Sequence, residues 1–424
     1  MIPVWGPGVS LDNERSRVFH APLTDLPVSE RLILPICPEG EENRWQIVPE
    51  QTALSRFASV AESAETVQTV KTPYAGTLER LEPLPLPGKG VRLCAWIKTN
   101  PQAPYRRRVL NHAEQVSPEE ILRAAESFRL VDETDGQLLA HKLRNFCARG
   151  ITELICDGVC DDPYNTDDLC ALMEYTEDIC DGLSLAAAVC GTEQPKIVVS
   201  RAWEAGIAAY RRLIRQSEVP ILNAVGKYPI WPKLIRQKPF SGQQTGRIGA
   251  QVCKRLSRAV RLNQPPHRVV VTVSGSAVRE PQNFSVLIGT PLAVVLNQCA
   301  MGSDGYRQVA VQSAINGYSV VEPDRVPVMQ DTRCILAFRE FPTRSTFCVE
   351  CGRCAEVCPA GVFPVAVIRS VQRGDRAAAQ LYGINNCIGC GACEAVCPAN
   401  LRIRALLHGS ASPRIADSWR SRSE

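Results

Sequence analysis

The sequence predicts a multidomain protein, α/β + β in class, in which β and α/β regions precede a helical C-terminal region. Three observations support this fold class: proline-interrupted apolar runs in residues 1–110, alternating strand and helix patterns in residues 117–262, and two compact cysteine clusters in residues 340–409. Of the 424 residues, 45% are hydrophobic and 22% are charged, which is typical of globular proteins. The length suggests about three domains, each able to form its own hydrophobic core.

Residues 1–110 have the pattern of irregular β structure. Short apolar runs at 31–36, 45–48 and 91–97 are separated by prolines, and the segment LPLPGKG at 84–90 excludes a helix interior or a central strand. The basic run at 106–108 is interpreted as a solvated connector, and docking to an acidic partner is the alternative.

Residues 117–262 have the pattern of an α/β domain. Ser117 is a predicted N-cap, because a proline and two glutamates follow it. Strands are predicted at 151–156, 197–199 and 221–224; one helix is predicted from 165 to a stop at Gly191 and another at 202–215. This alternation predicts a parallel sheet with helices on its faces.

Residues 267–332 predict a small α+β module, with a strand at 268–273, a turn at 274–275 and a helix at 292–299. The polar residues 410–424 are expected to form a mobile tail.

Composition excludes several functions. A net charge of +4 is too small to favour nucleic acid, and no apolar run approaches the ~20 residues of a membrane span. The first residues lack a secretory pattern, so a cytoplasmic, reducing location is expected, and the nineteen cysteines are interpreted as metal ligands before disulfides.

Two copies of one cysteine motif indicate the chemistry. Residues 348–361 read CVECGRCAEVCPAG and residues 387–400 read CIGCGACEAVCPAN, both C-x2-C-x2-C-x3-C-P, which is the ligand run of 4Fe–4S clusters. Zinc is the alternative, but it leaves the trailing Cys-Pro unexplained. Since the fourth cysteine of each run binds the other cluster in two-cluster proteins, we predict two crossed ligand sets. The first set is Cys348, Cys351, Cys354 and Cys397, and the second is Cys387, Cys390, Cys393 and Cys358.

Apolar runs at 365–371 and 375–381, between the two motifs, predict helices, so an α-helical dicluster domain larger than a minimal ferredoxin is expected. When all four irons of a cluster are bound by thiolates, none is open to a substrate. The domain is therefore predicted to transfer single electrons and to carry no catalytic residue.

Further segments, in order, resemble RnfC, the peripheral subunit of the ion-pumping ferredoxin:NAD oxidoreductase complex. The similarity covers nearly all of the chain. Its segments are PGV at 7–9, LP at 26–27, 31–35, TPYAGT at 72–77, LEP at 81–83, KYP at 227–229, 271–275, IGTP at 288–291, and the residues that follow each cysteine motif, at 359–361 and 398–399.

The resemblance implies a domain order. It comprises a β barrel-sandwich hybrid at 1–110, a Rossmann-like α/β domain at 117–262, an SLBB-like module at 267–332 and the 4Fe–4S dicluster domain at 340–409.

One family element is degenerate in this chain. The family's flavin and NADH loop, G-x-G-G-A-G-F-P-T-x-x-K, falls at 131–142, which read VDETDGQLLAHK. Gly136 and Lys142 match, but Glu133, Thr134 and Asp135 replace two glycines and an alanine. Because carboxylates have the wrong sign for a phosphate site, FMN and NADH binding are not expected, and no residue is assigned to them.

A second element, N-G-A-E-C-E-P, corresponds to DGVCDDP at 157–163, with Cys160 at the first glutamate position. Cys156 and Cys160 are candidates for a redox pair or metal ligands, and packing in the core is the alternative.

Other repeated residues are interpreted structurally. Cys170, Cys180 and Cys190 are expected in the core, and Gly242, Gly246 and Gly249 in a loop or helix contact rather than a phosphate loop.

These observations predict an iron–sulfur protein that relays electrons between redox partner proteins, such as a ferredoxin, a flavoprotein or a reductase, in the cytoplasm or peripherally on a membrane complex. The first alternative is an FMN-dependent NADH dehydrogenase subunit of a membrane electron transport complex. The second is a docking subunit of a soluble reductase system.

Overall fold

The computed structural model describes residues 2–103, 116–200, 207–237, 240, 244–302, 305–340 and 347–411. Within these residues, no helix is both long enough and apolar enough to cross a membrane. The basic run at 106–108, Gly242 and most of the tail at 410–424 lie outside the described ranges, so the predictions for them stay predictions.

The first hundred residues are mainly short strands, with 3-10 turns at Glu14–Arg17 and Glu42–Arg44. The strands are β1 (Ile2–Val4), β2 (Thr24–Asp25), β3 (Arg31–Pro38), β4 (Trp45–Ile47), β5 (Ala53–Leu54), β6 (Ser59–Ser63), β7 (Thr69–Lys71), β8 (Gly76–Leu86) and β9 (Gly90–Thr99). One antiparallel sheet has the order β3-β9-β8-β5 and another has the order β4-β6-β7. Pro83 and Pro85 lie beyond the part of β8 that pairs with β5, where a missing amide is tolerated.

The first 25 residues depart from the predicted 1–110 domain. Strand β1 pairs with a strand of the central parallel sheet, with Ile2 opposite Ala224, and β2 pairs with the sheet of the next module, with Thr24 opposite Phe284. Val4 and Leu26 are buried in the cores of those two regions. These very short strands cover sheet edges elsewhere instead of forming a hairpin of their own, so no local pattern announces them.

The central region alternates strands and helices. Its elements are α1 (Pro118–Ser127), α2 (Leu139–Arg149), β10 (Glu153–Gly158), α3 (Asp167–Glu174), α4 (Thr176–Cys190), β11 (Lys196–Ser200), α5 (Ile207–Gln216), β12 (Ile221–Gly226), α6 (Trp231–Leu234), β13 (Thr245–Gly249) and α7 (Ala250–Leu262). The strands form a parallel sheet in the order β1-β12-β11-β10-β13, which confirms the predicted parallel sheet. Ser117 caps α1 in a reciprocal capping box with Glu120.

Two details of this region differ from the prediction. The helix predicted to end at Gly191 is two helices, α3 and α4, separated at Tyr175, and Gly191 does end the second in a left-handed conformation. Gly246 and Gly249 lie in strand β13, next to β10, rather than in a loop, and Gly246 packs against Phe146 of α2, in agreement with the predicted helix contact. Glycine is rare in strands, so the sequence of β13 lacks a recognisable strand pattern.

The next region is a mixed sheet with a short helix. Its elements are β14 (Arg268–Ser274), β15 (Gln282–Leu287), α8 (Leu292–Leu296), β16 (Gln308–Val311), β17 (Tyr318–Val320) and β18 (Cys334–Phe338), and the sheet order is β17-β16-β18-β14-β15-β2. Valines of β14 and leucines of α8 form its core.

The C-terminal region is helical. Its helices are α9 (Arg353–Glu356), α10 (Pro364–Gln372), α11 (Arg376–Leu381), α12 (Ala392–Ala395) and α13 (Ile403–Ala411). Helices α10 and α11 occupy the predicted helical segments, and the Asp375 side chain caps α11 by accepting from the Ala378 amide. Cys354, Val367 and Leu407 are buried in the core of this region.

Candidate functional site

The two cysteine motifs fold into matching loops. Gly352 and Gly391 hold the same place in the two motifs and immediately precede α9 and α12, with φ angles of +74° and +79°. The left-handed conformation also recurs at Glu350 and Gly389, one residue before the second cysteine of each motif. The repeated sequence therefore forms a repeated structure, in which a tight turn leads each motif into one turn of helix.

Four motif cysteines surround one small cavity. The cavity is lined by Cys358 from the first motif and by Cys387, Cys390 and Cys393 from the second. The other four motif cysteines, all of them within the described residues, do not line it. The structure therefore brings together the second of the two predicted ligand sets, including its crossed member.

The thiols of this group are close enough to influence one another. Burial raises the pKa of Cys390, the Ala392 amide lowers it, and the neighbouring Cys358 and Cys387 raise it again. Burial, with the adjacent Cys390, raises the pKa of Cys393 to about 12. Ligation requires the thiolate form, so a bound cation would have to displace these protons.

The first predicted set is less enclosed. Cys351 is exposed, Cys354 is buried, and Cys397 packs against the core that includes Cys354. Burial raises the pKa of Cys354, whose neighbours include Cys348.

The donor atoms fit an iron–sulfur cluster. Both groups consist of cysteine sulfurs, the ligands that such clusters use. The amide of Glu350 donates to Cys348 Sγ at 3.4 Å and the amide of Val362 donates to Cys358 Sγ at 3.3 Å. Within the described residues, no three His, Cys, Asp or Glu side chains are arranged to hold a single metal ion. The ligands of a cluster bind separate irons, so they need not converge on one point as the ligands of a single ion do.

Contacts with the parallel-sheet region hold the second motif in place. The Tyr228 hydroxyl donates to the Cys390 carbonyl at 2.6 Å, and Ala392 is buried against Val9 and Tyr228. The first motif is held to the same region, because Arg236 donates to the carbonyl of Pro359 at 3.1 Å. The motif sequence predicts none of these contacts, because they join residues more than a hundred positions apart.

Gly391 of the second motif also packs against Ile315, between β16 and β17 of the mixed sheet, and we expect Gly391→Ala to weaken this contact. A Cβ at Gly391 would lie 2.8 Å from Ile315 Cγ2, whereas a Cβ at Gly352 would meet no atom within 4 Å. Either alanine strains a left-handed residue by about 1–2 kcal/mol. The clash should cost Gly391→Ala about 1–3 kcal/mol more. Urea unfolding of both variants measures the difference, and equal losses would show that the contact with Ile315 does not hold the domain.

A large cleft leads from the degenerate loop to the second motif. It has a volume of about 920 Å³ and is lined by Thr134, Asp135 and Gly136 at one end and by Ile388 and Cys390 at the other. Its walls include Asp157, near the carboxyl end of β10, and Arg247, in the middle of β13. In parallel α/β sheets, ligands bind beyond the carboxyl ends of the strands, which is where this cleft begins.

Glu133 of the degenerate loop turns inward rather than into the cleft. Its carboxylate accepts from the amides of Gln251 at 2.7 Å and Val252 at 3.2 Å, in the first turn of α7, and pairs with Arg255 at 2.8 Å. A Cβ at Gly249 would lie 1.9 Å from this carboxylate, so only glycine permits the approach. Burial raises the pKa of Glu133 to about 7, while Arg255 opposes that rise. The chain's own carboxylate thus occupies the anion-binding end of α7.

The ammonium group of Lys142 is likewise bound by side chains of the protein itself. Its ammonium group is buried and donates to Asp132 at 2.7 Å, to Asp135 at 2.7 Å and to Thr134 at 3.1 Å. Burial raises the pKa of Asp132, but Lys142 and Thr134 outweigh it and leave that pKa below its usual value. The lysine that matches the family loop is therefore neutralised within the loop itself.

The DGVCDDP element is also tied to structural contacts. Asp161 accepts from the Ile230 amide at 2.6 Å, and Asp162 accepts from Ser313 at 2.5 Å and from the Ala314 amide at 3.1 Å. These carboxylates anchor neighbouring segments to the end of β10.

The buried Asp161 is expected to make the stability of the fold depend on pH. Burial raises its pKa to about 6, with Asp157 and Asp162 adding to the rise and Ile230 and Arg333 opposing it. An unfolded aspartate has a pKa of about 3.9. The free energy of unfolding therefore increases as the pH falls from about 6 toward about 3.9, and it decreases as the pH rises over the same range.

Asp161→Asn keeps an acceptor for the Ile230 amide but cannot ionise. We expect the variant to be more stable than the parent at pH 7 by on the order of 1–3 kcal/mol, and the gain to shrink as the pH falls toward 5. Chemical unfolding at several pH values measures the gain, and one that does not change with pH would contradict the assigned cost of ionisation.

Cys156 and Cys160 are both buried in the core. A hydrogen bond with the Cys253 thiol, together with burial, holds the pKa of Cys156 well above its usual value, and burial raises that of Cys160. This placement favours the packing interpretation. Cys180 is buried in the same core, with Cys170 and Cys190 packed against it.

Comparisons with known proteins agree with the cysteine motifs. Residues 347–401 match the family described as a 4Fe-4S dicluster domain. The chain is 30% identical over 318 residues to the C subunit of the ion-translocating oxidoreductase complex from Rhodobacter capsulatus, covering 71% of this chain and 60% of the relative. It is 25% identical over 378 residues to the protein of the same name from Yersinia pestis bv. Antiqua, covering 81% of this chain and 58% of the relative.

The chain thus spans about 60% of the length of these curated relatives. Among solved structures, an NAD+-reducing NiFe-hydrogenase in the H2-reduced state aligns with a TM-score of 0.46 at 17% identity, covering 70% of this chain and 63% of that one.

Proposed function

We propose that this RnfC-like chain, a homologue of the C subunits of ion-translocating oxidoreductase complexes, relays single electrons through two 4Fe–4S clusters between redox partner proteins. The observation that carries the proposal is the cavity shared by Cys358 and three cysteines of the second motif, within the dicluster domain. When bound, such clusters supply reversible one-electron transfer.

The ligands are proposed to be crossed between the motifs. One cluster takes Cys387, Cys390, Cys393 and Cys358, which line the shared cavity. The other takes Cys348, Cys351, Cys354 and Cys397. Crossing ties the two motifs together through the clusters, which suits a domain whose two motif helices are only one turn long.

The protein's own groups prepare these sites. The amides of Glu350 and Val362 donate to the sulfurs of Cys348 and Cys358 and adjust the charge on sulfur, which is one determinant of cluster potential. Tyr228 fixes the loop of Cys390 against the parallel-sheet region, and the exposure of Cys351 leaves the other cluster site nearer to solvent. Electrons are therefore proposed to enter or leave on the Cys351 side.

We also propose names and boundaries for the domains of this chain, based on its resemblance to the RnfC family. Strands β3–β9 are proposed to form a barrel-sandwich hybrid, the parallel-sheet region a Rossmann-like domain, and the sheet from β14 to β18 an SLBB-like module. On this proposal the domains run over 1–110, 117–262, 267–332 and 340–409, except that the first 25 residues cover the edges of two later sheets.

The partners are proposed to be redox proteins. Since the curated relatives are subunits of an ion-translocating complex, a peripheral position in such a complex, on the cytoplasmic side, is the proposed setting. The FMN-dependent NADH dehydrogenase remains the second candidate function, because the cleft beside the degenerate loop extends to Cys390.

Anaerobic reconstitution and partner kinetics test the electron-transfer function. The reconstituted chain should bind about eight irons and eight acid-labile sulfides, as two cubane clusters require. Its clusters should be reduced by dithionite and by a reduced low-potential ferredoxin in stopped-flow absorbance. Iron near four would exclude the second cluster. Failure of every protein donor and acceptor, with both clusters present, would favour the docking subunit instead.

A further inference from the structure

Two cysteines outside the motifs meet at the surface of the parallel-sheet region. Cys147 is exposed in the last turn of α2, and Cys190 is the partly buried last residue of α4. Gly150 follows α2 shortly after Cys147, and Gly191 directly follows Cys190. A Cβ at either glycine would meet no atom within 4 Å. The surroundings of the pair are therefore open to small reagents.

The two thiols are neighbours. Cys147 Sγ donates to the Val189 carbonyl at 3.2 Å, one residue before Cys190, which places Cys147 beside the last turn of α4. Burial, together with the neighbouring Cys147, raises the pKa of Cys190 to about 12. Cys147 is thus the accessible member of the pair and Cys190 the partner held beside it.

A second thiol pair in the same region serves as a comparison. Cys156 of β10 and Cys253 of α7 are also neighbours, each influencing the pKa of the other, but both are fully buried. The two pairs differ mainly in solvent exposure. We therefore expect only the exposed pair, Cys147 and Cys190, to react readily with a reagent in solution.

We propose that Cys147 and Cys190 form a reversible disulfide when the protein meets a low-molecular-weight disulfide such as glutathione disulfide. The Cys147 sulfur attacks one sulfur of the reagent, forms a mixed disulfide and releases one small thiol, which takes the Cys147 proton. The Cys190 sulfur then attacks the Cys147 sulfur, and the second small thiol leaves with the Cys190 proton. The two protein thiols are oxidised by two electrons, and the reagent is reduced to two thiols.

The product would join the ends of α2 and α4. Helix α2 follows the loop that holds Asp132 and carries Lys142, so the disulfide would fasten the helix that supports this loop. In a reducing compartment the pair stays a dithiol, and it responds when small disulfides accumulate.

Peptide mapping tests the proposal on the anaerobic holoprotein. The protein is treated with glutathione disulfide, its free thiols are alkylated after unfolding, and the digest is sequenced by mass spectrometry without reduction. We expect a peptide cross-linked through Cys147 and Cys190, lost on treatment with dithiothreitol, and no link between Cys156 and Cys253. Cys190→Ser should stop at a glutathione adduct on Cys147, and Cys147→Ser should form neither product.

Circular dichroism and iron content verify that each variant is folded, and the mapping of the unaltered protein needs no variant. If the unaltered protein stops at the mixed disulfide, Cys190 is not placed to resolve it and the proposal fails. Cross-linking of Cys156 to Cys253 at a similar rate would also overturn it, since that result would mean that access does not select the surface pair.

Discussion

Replacing Cys358 by serine is expected to remove the cluster held by Cys387, Cys390 and Cys393, although Cys358 belongs to the other motif. The four residues line one cavity, and serine is a poor ligand for iron at that corner. Bound iron should fall from about eight to about four per chain. Cys397→Ser should remove the other cluster to the same extent.

Double variants identify which cysteines share a cluster. If the ligands are crossed, Cys358→Ser combined with Cys387→Ser should still leave about four irons, because both residues serve one cluster. Cys358→Ser combined with Cys348→Ser should leave almost none. The opposite pattern would show that each motif builds its own cluster. Cys147→Ser, which alters an exposed thiol outside both groups, is the matched control and should keep about eight.

The second large effect concerns the flavin. After reconstitution with FMN we expect less than about one flavin per ten chains, and no reduction of the clusters by NADH, because the groups that could hold a phosphate are already bound within the chain. Glu133 occupies the amides of α7, and Asp132 and Asp135 occupy Lys142. A flavoprotein carried through the same procedure provides the positive control. One flavin per chain with NADH-dependent bleaching would restore the dehydrogenase.

Two isosteric variants distinguish repulsion at the surface from occupation of the interior. Asp135 is partly exposed and Glu133 is buried. If exposed negative charge were the obstacle, Asp135→Asn should recover flavin binding; we expect that it will not. Burial of the charge alone would favour the neutral glutamine. However, the new NH2 group would face the Arg255 guanidinium, donor against donor, and leave that buried cation without an anionic partner, so Glu133→Gln should lower the free energy of unfolding by about 3 kcal/mol. Urea denaturation of the two variants, side by side, measures this contrast.

Local patterns predicted much of this molecule. Each cysteine motif lies within fourteen consecutive residues, so its spacing is visible in the local sequence. The matching loops at Gly352 and Gly391 follow from this repeated spacing. Strands β10, β11 and β12 are apolar runs that stand out from their surroundings. By contrast, β1 has only three residues and β13 contains two glycines, so their places in the sheet depend on partners far along the chain.

The candidate site shows the same division. The sequence predicts the identity of the cluster ligands and the anionic character of the loop at 131–142, because both are local. It does not predict that Glu133 faces inward, because the direction depends on Arg255, more than a hundred residues away. The attachment of Cys390 by Tyr228 is equally long-range, and the hydroxyl of a single tyrosine gives no recognisable pattern.

We propose that this chain carries electrons through two clusters and holds no flavin. The most direct test incubates the reconstituted protein with FMN, removes the unbound FMN by gel filtration and titrates the protein anaerobically with dithionite. We expect reversible uptake of about two electrons per chain, one for each cluster. Uptake of about one electron would contradict the second cluster, and uptake of about four, two of them by a retained flavin, would contradict the assignment of the degenerate loop.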